Sequence, residues 1–249
     1  MEKLSKEAVS AEKRAVTVHE QQVWYREKGK GIPILILVGW GGPTDKYLPI
    51  QNELVDRGYR VFLPDLPGLP GKTSSMFIHL SEWSSWIEEF TRAAIREQFI
   101  VIAHSLSAQI GLQYLSNKNS KCRGAIFLCP WFVSSAFQGA FWRFAAKIIR
   151  FLCPIIYQDM KWVRDKKAWT TSLELFSVVS EQPRVPCLIL WGRKDPARLL
   201  LTGWRKIHCE TKQYNWDHSP QIKATDELAV VIGEFISNLP RPNRNGVPF

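Results

Sequence analysis

The sequence predicts an α/β fold built on a mostly parallel central sheet with helices on both faces, and three observations lead to it. Unbroken apolar runs of strand length recur at residues 33–38, 99–103, 124–129 and 187–191, and a further strand reads at 59–63. Such runs suit strands covered on both sides, where an alternating pattern would mark a half-exposed sheet. Helical spacing of apolar residues fills most of the gaps between them, which is the alternation expected of parallel strands joined by crossover helices. Finally, the polar residues that stand out most, Ser105, Asp195 and His218, each follow a strand, where open α/β sheets bind their ligands.

The chain of 249 residues is long enough for one large domain with a sizeable core. Its net charge of +10 comes from Lys and Arg spread along the whole length. No dense basic run marks a nucleic-acid surface, so a basic surface facing water is the expectation. Cys122, Cys129, Cys153, Cys187 and Cys209 form an odd set with no close pair. Reduced core thiols are expected, with neither a disulfide framework nor a metal site. The polar start of the chain lacks the apolar core of a signal peptide, and no run approaches the roughly 18 apolar residues of a spanning helix. A cytoplasmic protein is therefore expected.

Taken in order, residues up to about 13 read as a polar helix or loose arm. Residues 15–18 and 22–26 then form two strands joined by a short polar turn, a simple antiparallel hairpin. The strand at 33–38 ends in Gly39-Trp40-Gly41-Gly42-Pro43, a glycine-rich loop whose backbone N–H groups can point into a site. A helix over 47–57 stops at Gly58, a residue suited to the position past a helix end. The strand at 59–63 leads into a long loop with Pro64, Pro67 and Pro70. Gly71-Lys72-Thr73 within it is no phosphate-binding loop, because the glycine required five residues before Gly71 is Leu66. Ser81 is placed to cap a helix with Trp83, Trp86, Ile87, Phe90 and Ala94 on one face.

The segment 99–110 turns from a β-branched run into small residues and a helical pattern, with Ser105 at the corner. A serine there projects its hydroxyl above the sheet edge, provided that small residues flank it two before and two after. Ala103 and Ser107 fill those places. A helix on Ile110, Leu112 and Leu115 follows, and then the strand at 124–129. The gap to the strand at 187–191 far exceeds a single crossover, a whole strand–helix–strand unit taking about 30 residues. A helical cap inserted at about 131–181 in a single domain is the expectation. Within it Trp142, Ala145, Ala146 and Ile149 share the side away from Arg143, Lys147 and Arg150. A lid over a pocket is preferred for this helix, ahead of a membrane-surface element. Beyond residue 191 come Asp195, a helix around 199–207, a short strand at 211–216, Asp217-His218-Ser219-Pro220, and a closing helix from Thr225 with Leu228, Val231, Ile232 and Phe235 as its stripe. The tail from Pro240 is polar and expected to be disordered.

Four segments carry a resemblance to the α/β-hydrolase superfamily that extends over about 14–239. They are 37–42 after the first buried strand, 64–68 after the next, Ala103-His104-Ser105-Leu106-Ser107 at the corner, and 190–195 with 217–220. The chain order serine, acid, histidine is that of this superfamily's catalytic triad. The resemblance implies Ser105 as nucleophile, His218 as general base and then acid, and Asp195 as the group that orients the imidazole. It implies an oxyanion hole from the backbone N–H groups of Trp40 and Leu106. Asp217 is a rival acid, discounted because neighbouring side chains on an extended loop point apart. Val38 stands where relatives often carry histidine, and Ala103 and Ser107 replace glycines of the usual corner.

A serine nucleophile favours carboxylester hydrolysis through an acyl-enzyme, with carbon–carbon or thioester cleavage by the same triad next. A non-catalytic ligand- or membrane-binding member of the fold is the alternative from another class. Trp40, Trp131, Phe137, Phe141 and Trp142 are the expected pocket lining, which favours a small, moderately apolar substrate. No cofactor, metal or nucleic-acid partner is expected.

Overall fold

The computed structural model describes residues 12–39, 44–67, 78–117, 121–156 and 166–240. The expected N-terminal arm, Trp40, the loop at 68–77 and the tail beyond residue 240 lie outside that description. Eight strands form one sheet in the order β1-β2-β4-β3-β5-β6-β7-β8. They are β1 (Glu12–Val18), β2 (Gln21–Gly29), β3 (Pro33–Leu37), β4 (Arg60–Pro64), β5 (Phe99–His104), β6 (Cys122–Leu128), β7 (Cys187–Gly192) and β8 (Glu210–Tyr214).

The first two strands pair antiparallel in the expected hairpin, with Val18 opposite Gln21. His19 and Glu20 both take positive φ, as a two-residue turn that matches strand twist requires. β2 runs antiparallel to β4, and from β4 onward every neighbour is parallel. All residues of β3, β5 and β7 are buried, which is why their sequences read as continuous apolar runs. β8 lies at the edge, and its Glu-Thr-Lys-Gln-Tyr sequence is polar and half-exposed as an edge strand should be.

The helices are α1 (Leu48–Asp56), α2 (Trp83–Ala94), α3 (Ser107–Leu115), α4 (Ala136–Ile156), α5 (Lys166–Glu174), α6 (Ala197–Leu200), α7 (Pro220–Lys223) and α8 (Thr225–Ser237). Trp83, Trp86, Ile87 and Phe90 of α2 are fully buried, and α2 packs beside α3 and the β1 hairpin. α1 packs against α8, whose Leu228, Val231 and Ile232 are buried.

Three expectations are corrected. Ser81 does not cap α2, because a 3-10 turn over Leu80–Glu82 precedes that helix and His79 begins the turn, its N–H donating to the Glu82 carboxylate at 2.8 Å. The helix expected around 199–207 is two short pieces, α6 and a 3-10 turn over Gly203–Lys206. Cys187 and Cys209 are joined by a disulfide, with their Cα atoms 5.1 Å apart. The pairing β7–β8 sets Leu188 opposite Glu210, so the two cysteines just before them are lateral neighbours despite a separation of 22 residues. Cys122 and Cys129 are buried thiols, as expected. Among the described residues, no helix is long and apolar enough to cross a membrane.

Candidate active site

Ser105 follows the last residue of β5 and has φ +56°. A side-chain-bearing residue takes that left-handed backbone only when its surroundings hold it there. Its N–H donates to the Leu128 carbonyl at 2.9 Å, and its own carbonyl accepts from Ala108 and Trp131 at 3.1 and 3.0 Å. The corner is thereby tied to the ends of β6 and α3 together. Ser107, where relatives often have glycine, donates its hydroxyl to the Val38 carbonyl at 2.5 Å. This fastens the start of α3 to the backbone just past β3.

His218 comes from the loop after β8, and its Nε2 lies 2.9 Å from Ser105 Oγ. Its Nδ1 is 2.7 Å from Asp195 Oδ2. Asp195 sits beyond β7, its side chain almost wholly buried, and its other oxygen accepts the Ala197 N–H at 2.9 Å. A carboxylate only accepts, so Nδ1 is the donor and Nε2 is left to take the serine hydroxyl. The rival Asp217 accepts the Ser219 N–H at 2.8 Å and pairs with Lys223. The Lys223 ammonium and that N–H hold its carboxyl below the usual carboxylate range. The adjacent side chains of Asp217 and His218 do point apart, the first to the surface Lys223 and the second to Ser105 and Asp195.

Behind this trio lies a second buried group that the sequence reading did not single out. His104 Nε2 is 2.9 Å from the His218 carbonyl, and Nδ1 is 2.6 Å from the Tyr47 hydroxyl. That hydroxyl in turn accepts the Gly39 N–H at 2.6 Å. Since a carbonyl accepts only, the proton on His104 resides on Nε2 and Tyr47 donates to Nδ1. Burial lowers the His104 pKa to about 3, helped by the neighbouring His218. The ring is thus a neutral strut between the loop after β3 and the histidine loop. A Cβ on Gly39 would come within 2.5 Å of His104 Nδ1 and 3.0 Å of Ser105 Cβ, so only glycine fits there.

Of the expected pocket residues, Trp40 lies outside the described residues. Leu106 is buried directly after Ser105. The Trp131 ring centroid is 6.0 Å from that of His218, 5.3 Å from Trp142 and 5.9 Å from Phe176, which sequence reasoning had not named. Phe137 and Phe141 remain at the surface, 84% and 55% exposed. α4 keeps Trp142, Ala145 and Ala146 on its inner side and Lys147 exposed, as expected, and departs from expectation at Arg143. Its buried side carries Gly139, Ala146 and the partly buried Arg143, whose guanidinium donates to the Phe176 carbonyl at 2.9 Å. On a helix that is apolar nearly all round, the several N–H donors of the guanidinium make the arginine an anchor to backbone.

Cys129 Sγ and the ligand atoms of Asp195 and His218 lie within 4.8 Å of one another. Burial and the nearby Asp195 push the thiol well above its ordinary pKa, so it stays protonated, and the other two groups are already bonded to each other. That set does not suit a metal ion, which requires a thiolate.

A family model described as the alpha/beta hydrolase fold matches residues 32–148. No curated protein matches the sequence. Among solved structures, a bromoperoxidase from Bacillus anthracis is similar at TM-score 0.71 and 14% identity, over 91% of this chain and 100% of that one. An enol-lactonase from Burkholderia xenovorans LB400 matches at 0.71 and 13%, over 90% and 100%. A thermophilic esterase from Thermogutta terrifontis matches at 0.69 and 13%, over 91% and 98%. At such identities the likeness is one of fold.

Proposed function

Since this chain is an α/β hydrolase by fold, we propose that it is a serine hydrolase that cleaves a small, moderately apolar ester through an acyl-enzyme on Ser105. The observation that carries this reading is the unbroken relay Ser105 Oγ, His218, Asp195, at 2.9 and 2.7 Å. A serine hydroxyl is a weak nucleophile until a neighbouring imidazole accepts its proton. In this reading His218 Nε2 takes the Ser105 proton while Oγ bonds to the ester carbonyl carbon. The carbonyl electron pair moves onto oxygen, where backbone N–H groups of Leu106 and Trp40 receive it. Gly39 cannot serve, because its N–H is engaged by Tyr47. Collapse expels the alcohol with the proton from His218, and water then releases the acid by the same route in reverse.

Trp131 beside His218, backed by Trp142, supports an apolar substrate body, since aromatic walls give large contact at low entropic cost. The cytoplasm, the compartment expected from the sequence, requires Cys187 and Cys209 to be reduced there. Trapping of free thiols in intact cells decides that point. The catalytic reading is tested with a fluorophosphonate probe. The purified protein should be labelled covalently and stoichiometrically, and Ser105→Ala should be inert to the probe and to a short nitrophenyl ester while keeping its fold. Turnover by Ser105→Ala at the wild-type rate would refute it.

A further inference from the structure

The outward side of α4 carries an apolar stripe that is left exposed among the described residues. Phe137, Phe141, Phe144 and Ile148 recur at helical spacing, and Phe144 and Ile148 are 63% and 46% exposed. Leu199 and Leu200 on α6 extend it, for Gln138 reaches the Leu200 carbonyl at 2.7 Å and holds the two helices side by side. The opposite side of α4 is already committed to the protein through Trp142, Ala146 and the Arg143 bond to Phe176. Isolated exposed apolar residues are ordinary on a surface, but a continuous stripe of this size marks a contact face.

Charge selects the occupant. No Asp or Glu occurs in residues 131–158, which carry α4, or in residues 196–209, which carry α6 and the turn after it, while Lys147, Arg198, Arg205 and Lys206 fall in these two stretches. Lys147 is exposed on the striped side, and Lys206 reaches the Ser134 carbonyl at 2.6 Å, beside the N-terminal end of α4. A second copy of the chain would set this cationic face against another, whereas an anionic lipid surface offers acyl chains for the rings and headgroup charge for the lysines.

We propose that the outer face of α4 with Leu199 and Leu200 is a membrane-docking surface, which seats the protein on anionic lipid bilayers. The docking goes beyond the hydrolase reading and does not depend on it. It does have a bearing on the site, because Trp142 on the inner side of the same helix touches Trp131, which touches His218.

The test is co-sedimentation of the full chain with vesicles of phosphatidylcholine containing phosphatidylglycerol, against vesicles of phosphatidylcholine alone. The wild type should bind the anionic vesicles more tightly, and added salt should weaken the binding. The double variant Phe144→Ser/Ile148→Ser should lose about tenfold or more of that affinity, and Lys147→Glu should lose affinity for the anionic vesicles chiefly. Unchanged urea midpoints would show that both variants fold, as exposed positions allow. No binding by the wild type, or binding indifferent to both variants, would overturn the proposal. So would a dimer in sedimentation velocity that the double variant dissolves, since the face would then be an interface between copies.

Discussion

His104 donates its Nε2–H to the backbone carbonyl of His218 across 2.9 Å, so one buried imidazole sets the height of the other. Through Tyr47 the same ring is bonded to Gly39, at the entrance of the glycine-rich loop. The base loop and the loop expected to bind the oxyanion therefore share a single support.

His104 should accordingly act as a positioning residue. His104→Leu keeps an apolar ring-sized body but leaves the His218 carbonyl and Tyr47 hydroxyl without their partner. A small displacement of a reacting group can cost about a hundredfold, so kcat on a soluble ester should fall by about tenfold to a hundredfold, with little change in KM. His104→Gln, whose amide can reproduce the Nε2 donor, should recover much of the loss. Equal loss in both variants, or a loss confined to KM, would exclude the positioning role.

The same burial predicts a pH dependence of stability. The unfolded chain protonates His104 near its ordinary value of 6.5, whereas the folded protein resists until about 3. Between those values the unfolded state binds more protons, so stability declines as pH falls from 6.5 toward 3 and is unaffected by this group above that window. The contribution to the slope is at most about 1.4 kcal/mol per pH unit. Urea midpoints measured from pH 7 to pH 4 should show a shallower acid loss in His104→Gln than in the wild type, roughly by that amount per unit.

The two candidate acids should behave very differently. Asp195→Asn removes the acceptor that fixes the His218 tautomer and should lower kcat by about 10⁴. Asp217→Asn breaks only its bonds to Lys223 and Ser219 and should leave kcat near the wild-type value. Steady-state kinetics on one ester distinguishes them, and a comparable loss in both would mean that the second carboxylate also supports the base.

Breaking the Cys187–Cys209 bond should destabilise the fold by about 3 kcal/mol, the magnitude expected for a closed loop of this length. Urea unfolding with and without dithiothreitol measures this directly, and Cys209→Ser should match the reduced wild type.

Much of this architecture was legible in the chain because its physics is local. Unbroken runs such as Phe99–His104 announce strands buried on both faces, and the small residues around Ser105 announce a tight corner. The pairing of His218 with Asp195 was reached through chain order and resemblance. Its geometry depends on two neighbouring parallel strands ending level, which no spacing records. What stayed hidden was non-local. Tyr47 and His104 are 57 residues apart, and nothing in either segment advertises the bond between them. The exposure of Phe137 and Phe141 was not foreseen because α4 is apolar on both sides, so sequence alone does not say which of its aromatic rings the protein keeps for itself.

The disulfide acts at the far end of the two strands that deliver the acid and the base. β7 ends shortly before Asp195 and β8 ends shortly before His218, and their first rungs are set by the Cys187–Cys209 link. Were the edge strand β8 to slip by one residue, its side chains would exchange faces and its end would travel about 3.3 Å. That distance exceeds the whole His218–Asp195 separation of 2.7 Å. The covalent link therefore works as a register pin, which keeps an edge strand of polar residues aligned closely enough for a proton relay at its other end.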